Sequence, residues 1–145
     1  MEPYRHTVQY YETDRMGIAH HSNYIRWMEE ARVDFLRQLG WGYDRLEAEG
    51  IVSPVTALDC KYKATTTFPD VVTVQVYVAQ LKNATLRIGY RMEKQDGQIA
   101  FEGQSEHCFL NREGRIVRLR REKPEFYAAL AQQAVACLDV DHALQ

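Results

Sequence analysis

The sequence contains no run of about 18 apolar residues, so nothing in it reads as a membrane-spanning helix. It has no excess of positive charge. Eighteen lysines and arginines against 20 aspartates and glutamates give a formal net charge of -2, which argues against a nucleic-acid partner. Cysteine is scarce: Cys60, Cys108 and Cys137 are widely spaced, odd in number and without a CxxC pair. That pattern fits reduced thiols in a cytosolic protein better than a disulfide framework or a zinc site. No apolar segment follows the N-terminal Met1-Glu2-Pro3-Tyr4-Arg5, so no signal peptide is expected. There is no internal repeat, low-complexity stretch or linker. What remains is a 145-residue chain with 46% apolar and 26% charged residues, the composition of one globular domain spanning 1–145 and expected in the cytoplasm.

Periodicity assigns the elements. His6, Val8 and Tyr10 alternate with polar neighbours and predict a first strand over Arg5 to Tyr11. Tyr24, Trp27, Met28, Ala31, Phe35, Leu36 and Leu39 recur at three- and four-residue steps and predict a helix from Ser22 to Leu39. Ser22 or Asn23 is its expected N-cap and Gly40 its end. A short helix follows over Tyr43 to Glu49, then a weaker strand over Val55 to Lys63. Val72 to Val78 and Leu86 to Met92 alternate strictly, and Asp96-Gly97 marks a hairpin into Ile99 to Leu110. A turn at Arg112-Glu113-Gly114 predicts a return strand over Arg115 to Leu119, and Pro124 opens a last helix over Glu125 to Leu138. One long helix with a broad apolar stripe, followed by antiparallel strands, predicts an α+β domain in which a twisted sheet covers the helix.

The segment from Tyr11 to Tyr24 concentrates the chemistry. A carboxylate, Asp14, ends the first strand, Gly17 turns the chain, and His20 and His21 stand beside the helix start. A helix N-terminus presents unpaired N–H groups and the positive end of a dipole, which can hold the oxygen of a polarised carbonyl. A nearby carboxylate can attack that carbonyl or deprotonate a water. The residues by themselves specify no substrate.

Asp14, Gly17 three residues on and Tyr24 ten residues on resemble the signature of the 4-hydroxybenzoyl-CoA thioesterase family of hot-dog-fold proteins. The similarity runs on through Trp27, Glu30, Ala31, Arg32, Leu39-Gly40, Phe68-Pro69-Asp70 and Asp96-Gly97 to about residue 119. His21 matches a histidine of the broad acyl-CoA branch, whereas Met16 replaces a common glycine and Arg120 a common proline. The resemblance implies a hot-dog fold and a homodimer or homotetramer with sites at subunit interfaces. It also implies hydrolysis of an acyl-CoA thioester without a cofactor. By the same resemblance Asp14 is the catalytic carboxylate, the backbone N–H of His21 polarises the carbonyl, and Gly17 permits the turn between them.

Other readings stand beside these. Asp14 could simply cap a turn, and Tyr24 and Trp27 suit a pocket wall or core. His20 and His21 could hold a metal with Asp14 and His6 or His107, but adjacent histidines lack the i, i+4 spacing of helical zinc sites, and no metal is expected. Arg118, Arg120 and Arg121 form part of a basic stretch that is either a solvated face or a clamp for coenzyme A phosphates. Alternative functions are hydrolysis of an acyl group carried by an acyl carrier protein, and non-catalytic acyl-CoA binding. A hot-dog dehydratase or hydratase is disfavoured because its histidine motifs are not visible.

Overall fold

The computed structural model describes residues 1–144, with side chains described through residue 134. The chain runs β1 (Tyr4–Thr7), a 3₁₀ turn (Tyr10–Glu12), α1 (Ser22–Gln38), α2 (Tyr43–Ala48), β2 (Val55–Tyr62), β3 (Val71–Leu81), β4 (Thr85–Glu93), β5 (Ile99–Cys108), α3 (Leu119–Glu122) and α4 (Pro124–Leu144). The strands form one antiparallel sheet in the order β1-β3-β4-β5-β2. β1 pairs with β3, Tyr4 opposite Val74 and Thr7 opposite Val71. β2 occupies the other edge.

The alternating valines of β3 bury Val72, Val74 and Val78, and β4 buries Leu86, Ile88, Tyr90 and Met92. Gly89 leaves room on β4 for the Tyr77 ring of β3, which a Cβ at position 89 would strike. The stripe of α1 is buried as its spacing predicts, through Tyr24, Trp27, Met28, Ala31, Phe35 and Leu36. Each large apolar side chain among them contributes about 1.5–3 kcal/mol. At the helix end Gly40 has φ +84° and Trp41 donates its N–H to the Leu36 carbonyl at 2.9 Å, a glycine-terminated C-cap.

Three local expectations need correction. The first strand stops at Thr7 rather than Tyr11, because the Glu12 carboxylate reaches back to the Gln9 N–H at 2.7 Å and curls the chain into the 3₁₀ turn. A side chain-to-backbone bond has displaced ladder bonds. The helix begins at Ser22 but is not capped by Ser22 or Asn23. The Ser22 N–H donates to His20 Nδ1 at 3.2 Å, and the Asn23 amide turns back to the carbonyls of Glu12 and His20. The return strand over 115–119 shrinks to a single bridge, Leu110 to Ile116. The chain then turns into α3, where Arg118 donates its N–H to Glu122.

Contacts group the chain into two compact units. The first comprises Met1–Phe35, Cys60–Val76 and Tyr90–Gly103; the second comprises Leu36–Asp59, Tyr77–Gly89 and Gln104–Gln145. In the second, Trp41 stacks on Phe126 and Phe109 meets Phe126 edge-on. Cys60 and Cys108 form no disulfide, and the side chain of Cys137 lies outside the described residues. No helix among the described residues is long and apolar enough to cross a membrane.

Candidate active site

The loop between the 3₁₀ turn and α1 is a small closed hairpin. Thr13 bridges Ala19, Asp14 donates its N–H to the Ile18 carbonyl at 2.9 Å, and Gly17 donates to the Asp14 carbonyl at 3.0 Å. Gly17 has φ +77° and open space where a Cβ would sit, so the requirement there is torsional rather than steric. Its carbonyl accepts the Thr67 hydroxyl at 2.7 Å. Half-buried Asp14 uses Oδ1 to accept the Met16 N–H at 2.8 Å. Among the described residues no donor meets its Oδ2.

The start of α1 is tied just as closely. Ala19 donates to the Thr66 carbonyl at 2.8 Å and His20 to the Glu12 carbonyl at 2.9 Å. The His20 carbonyl accepts the Asn23 N–H at 3.0 Å, and the His21 carbonyl accepts the Tyr62 hydroxyl at 3.0 Å. Among the described residues no acceptor meets the His21 N–H. Asp14, His21 and Tyr24 line one cavity of about 280 Å³, together with Ile18, Tyr62 and the segment just after β2. Tyr24 is buried, and its hydroxyl is 2.9 Å from Thr66 Oγ1. Burial pushes that phenol above its ordinary value despite the bonds to Thr66, so it stays protonated.

Behind the loop lies a buried brace that the sequence did not announce. The Glu12 carboxylate accepts His6 Nε2 at 2.8 Å, the Gln9 N–H at 2.7 Å and the Trp27 indole N–H at 2.8 Å. Burial alone would raise the Glu12 pKa, but the three hydrogen bonds and the His6 charge lower it overall. The other nitrogen of His6 lies 3.2 Å from Glu30, which also accepts the Tyr4 hydroxyl. Glu12 thus anchors the loop through its side chain and the start of α1 through its carbonyl.

Asp14, His21 and Tyr24 are therefore neighbours on one cavity, and Gly17 shapes the loop that bears them. Arg118, Arg120 and Arg121 are exposed on and beside α3 in the other unit and do not line this cavity. His6 is engaged by carboxylates, and His107 is buried 2.7 Å from Ser105 Oγ. No group of three or more His, Cys, Asp or Glu side chains among the described residues is placed to hold a metal. Sequence reasoning missed Tyr62 and Thr66. Each is bonded to a residue more than 40 positions away, and no local spacing signals such a contact.

An exposed helix start and a carboxylate on one small cavity suit a reaction at a carbonyl. The model of the thioesterase-like superfamily matches residues 8–134. The chain belongs to that superfamily. A solved DHNA-CoA thioesterase from Staphylococcus aureus superposes with TM-score 0.87 and 30% identity over 97% of this chain and 94% of its own. A solved hypothetical protein from Thermus thermophilus gives TM-score 0.84 and 36% identity, over 92% and 99% of the two chains. The acyl-CoA thioesterase YbgC of Haemophilus influenzae is 29% identical over 86 residues, 59% of this chain and 63% of its own. The expected hot-dog fold and thioester hydrolase both hold for this superfamily member.

Proposed function

We propose that this member of the thioesterase-like superfamily hydrolyses an acyl-CoA thioester to the free acid and coenzyme A. Asp14 acts as nucleophile or general base, and the His21 N–H is the oxyanion donor. The observation that carries the reading is the shared cavity. Asp14 and His21, whose N–H meets no acceptor among the described residues, line the same 280 Å³ space together with Tyr24 and Tyr62. The thioester carbonyl carbon lies between the two groups, and its oxygen gains negative charge as attack proceeds. A fixed N–H at the positive end of a helix stabilises that charge more in the transition state than in the ground state. Asp14 is already oriented by the Met16 N–H, so its other oxygen faces the reaction without a large ordering cost. The names of the S. aureus and H. influenzae proteins, both CoA thioesterases, support coenzyme A as the carrier.

Arg118, Arg120 and Arg121 are assigned to the coenzyme A phosphates on chemistry alone. They are exposed forked donors, and among the described residues none of them forms an ion pair. Thiol release across short, long and aromatic acyl-CoAs and an acyl carrier protein substrate tests the whole reading. Turnover of acyl-CoA is expected; turnover of the carrier-protein substrate alone would transfer the assignment to that carrier. If Asp14→Asn released thiol at the wild-type rate, the proposed chemistry would be wrong.

A further inference from the structure

We propose that Tyr62 is a positioning residue that holds the oxyanion donor in place from across the cavity, an inference that rests on the reading of Asp14 and His21 given above. The His21 N–H lies in the peptide plane it shares with the His20 carbonyl, and the next plane, which carries the His21 carbonyl, restrains it through the φ and ψ of His21. At His21 both planes are pinned through their carbonyls. The plane between His20 and His21 is held by Asn23, whose backbone and side-chain N–H groups both donate to the His20 carbonyl, at 3.0 and 3.2 Å. The plane between His21 and Ser22 is held by the Tyr62 hydroxyl at 3.0 Å. At the helix start the same carbonyl also receives the Tyr24 N–H, at the longer distance of 3.4 Å. The tie from Tyr62 is thus the shorter one, and it comes from 41 residues away.

The tyrosine is itself well fixed. Its ring meets His21, Tyr24 and Phe101 edge-on, with centroids 6.2, 5.2 and 5.3 Å apart. Phe101 and Tyr24 are buried, so they form a rigid backing. Burial, with nearby Cys60 adding to it, pushes the Tyr62 hydroxyl above its ordinary value, which keeps it a donor at neutral and mildly alkaline pH. Because the residue is 46% exposed, its hydroxyl can be removed with little effect on the core.

Kinetics of Tyr62→Phe test this against Asp14→Asn as a reference. Removing an oxyanion donor outright costs about a hundredfold or more, so a donor that is present but less well aimed should cost about tenfold in kcat. KM should change less than about twofold, since the ring and the pocket wall remain. The thermal midpoint should match wild type, and Tyr62→Ala should additionally raise KM by removing the wall. An unchanged kcat in Tyr62→Phe, or a loss confined to KM, overturns the positioning role. If Asp14→Asn is inactive in that case, the hydrolytic reading survives and only this inference falls. If Asp14→Asn is fully active, the hydrolytic reading itself falls.

Discussion

Asp14 spends one carboxylate oxygen on its own turn, through Met16, and its other oxygen meets no donor among the described residues. The same residue is therefore a turn cap and a candidate nucleophile or base, and the two readings raised by the sequence do not compete. Asp14→Asn preserves the shape and removes charge, base and nucleophile together. We expect kcat to fall by at least about a hundredfold. His21→Ala leaves the backbone N–H in place and should cost about tenfold or less if the imidazole only orients substrate or water. Steady-state thiol release on both variants, each first checked for folding, separates the roles. Equal losses would make the imidazole an essential acid or base and refute the division. Asp14, Gly17 and Tyr24 were legible because they lie within eleven residues of one another and carry a recognisable spacing. Tyr62 and Thr66 were not, because a bond across 41 or 42 residues depends on how β2 and the loop after it lie beside the start of α1. Nothing in the local pattern at Val55–Tyr62 encodes that register.

At the scale of elements, apolar periodicity was a reliable guide wherever burial sets the structure. It located α1, β3, β4 and β5 to within a few residues. It failed where a polar side chain competes with the ladder, at the end of β1 and before α3. Glu12 is the instructive failure: a buried carboxylate in a segment of alternating pattern curls the strand and then supports the loop that bears Asp14. Its pKa is depressed in the fold, so the stability it supplies is complete above the ordinary glutamate value. That stability is lost as the pH falls through the lower folded value. Glu12→Gln forfeits charged hydrogen bonds and should lower stability at neutral pH by about 2 kcal/mol. Thermal midpoints of the two proteins should converge as the pH drops through that acidic window. A gap that stays constant down to strongly acid pH would show that the charge of Glu12 contributes nothing.

For the molecule as a substrate-binding whole, the arginines on and beside α3 give a prediction independent of the chemical step. Phosphate contacts remote from the thioester are similar in ground and transition states, so their loss appears in KM. Replacing Arg118, Arg120 and Arg121 together with alanine should raise KM for acyl-CoA about tenfold or more and leave kcat within about twofold. The effect should shrink with added salt, as for any exposed electrostatic contact. If KM is unchanged, the cluster is only a solvated surface, the alternative its composition also allowed.

The sheet supplies the argument for assembly. β2 hydrogen-bonds along one side only, since it is the last strand in the order β1-β3-β4-β5-β2. It is eight residues long and exposed along nearly its whole length, with Val55 and Leu58 each 44% and Tyr62 46% accessible. A long apolar edge of this kind is a template for pairing with another strand, and a second copy offers the same edge in a symmetric, self-limiting way. We therefore propose a homodimer joined through β2, with a dimer of dimers as the larger form. Light scattering should give at least twice the chain mass at assay concentration. Because β2 ends at Tyr62, pairing along it would also steady the strand from which that hydroxyl reaches His21. Leu58→Lys places a charge at the edge and should yield a folded monomer with kcat reduced about as far as in Tyr62→Phe. A wild-type monomer with full activity would eliminate the dimer. A monomeric Leu58→Lys protein with wild-type kcat would instead uncouple assembly from the reaction centre.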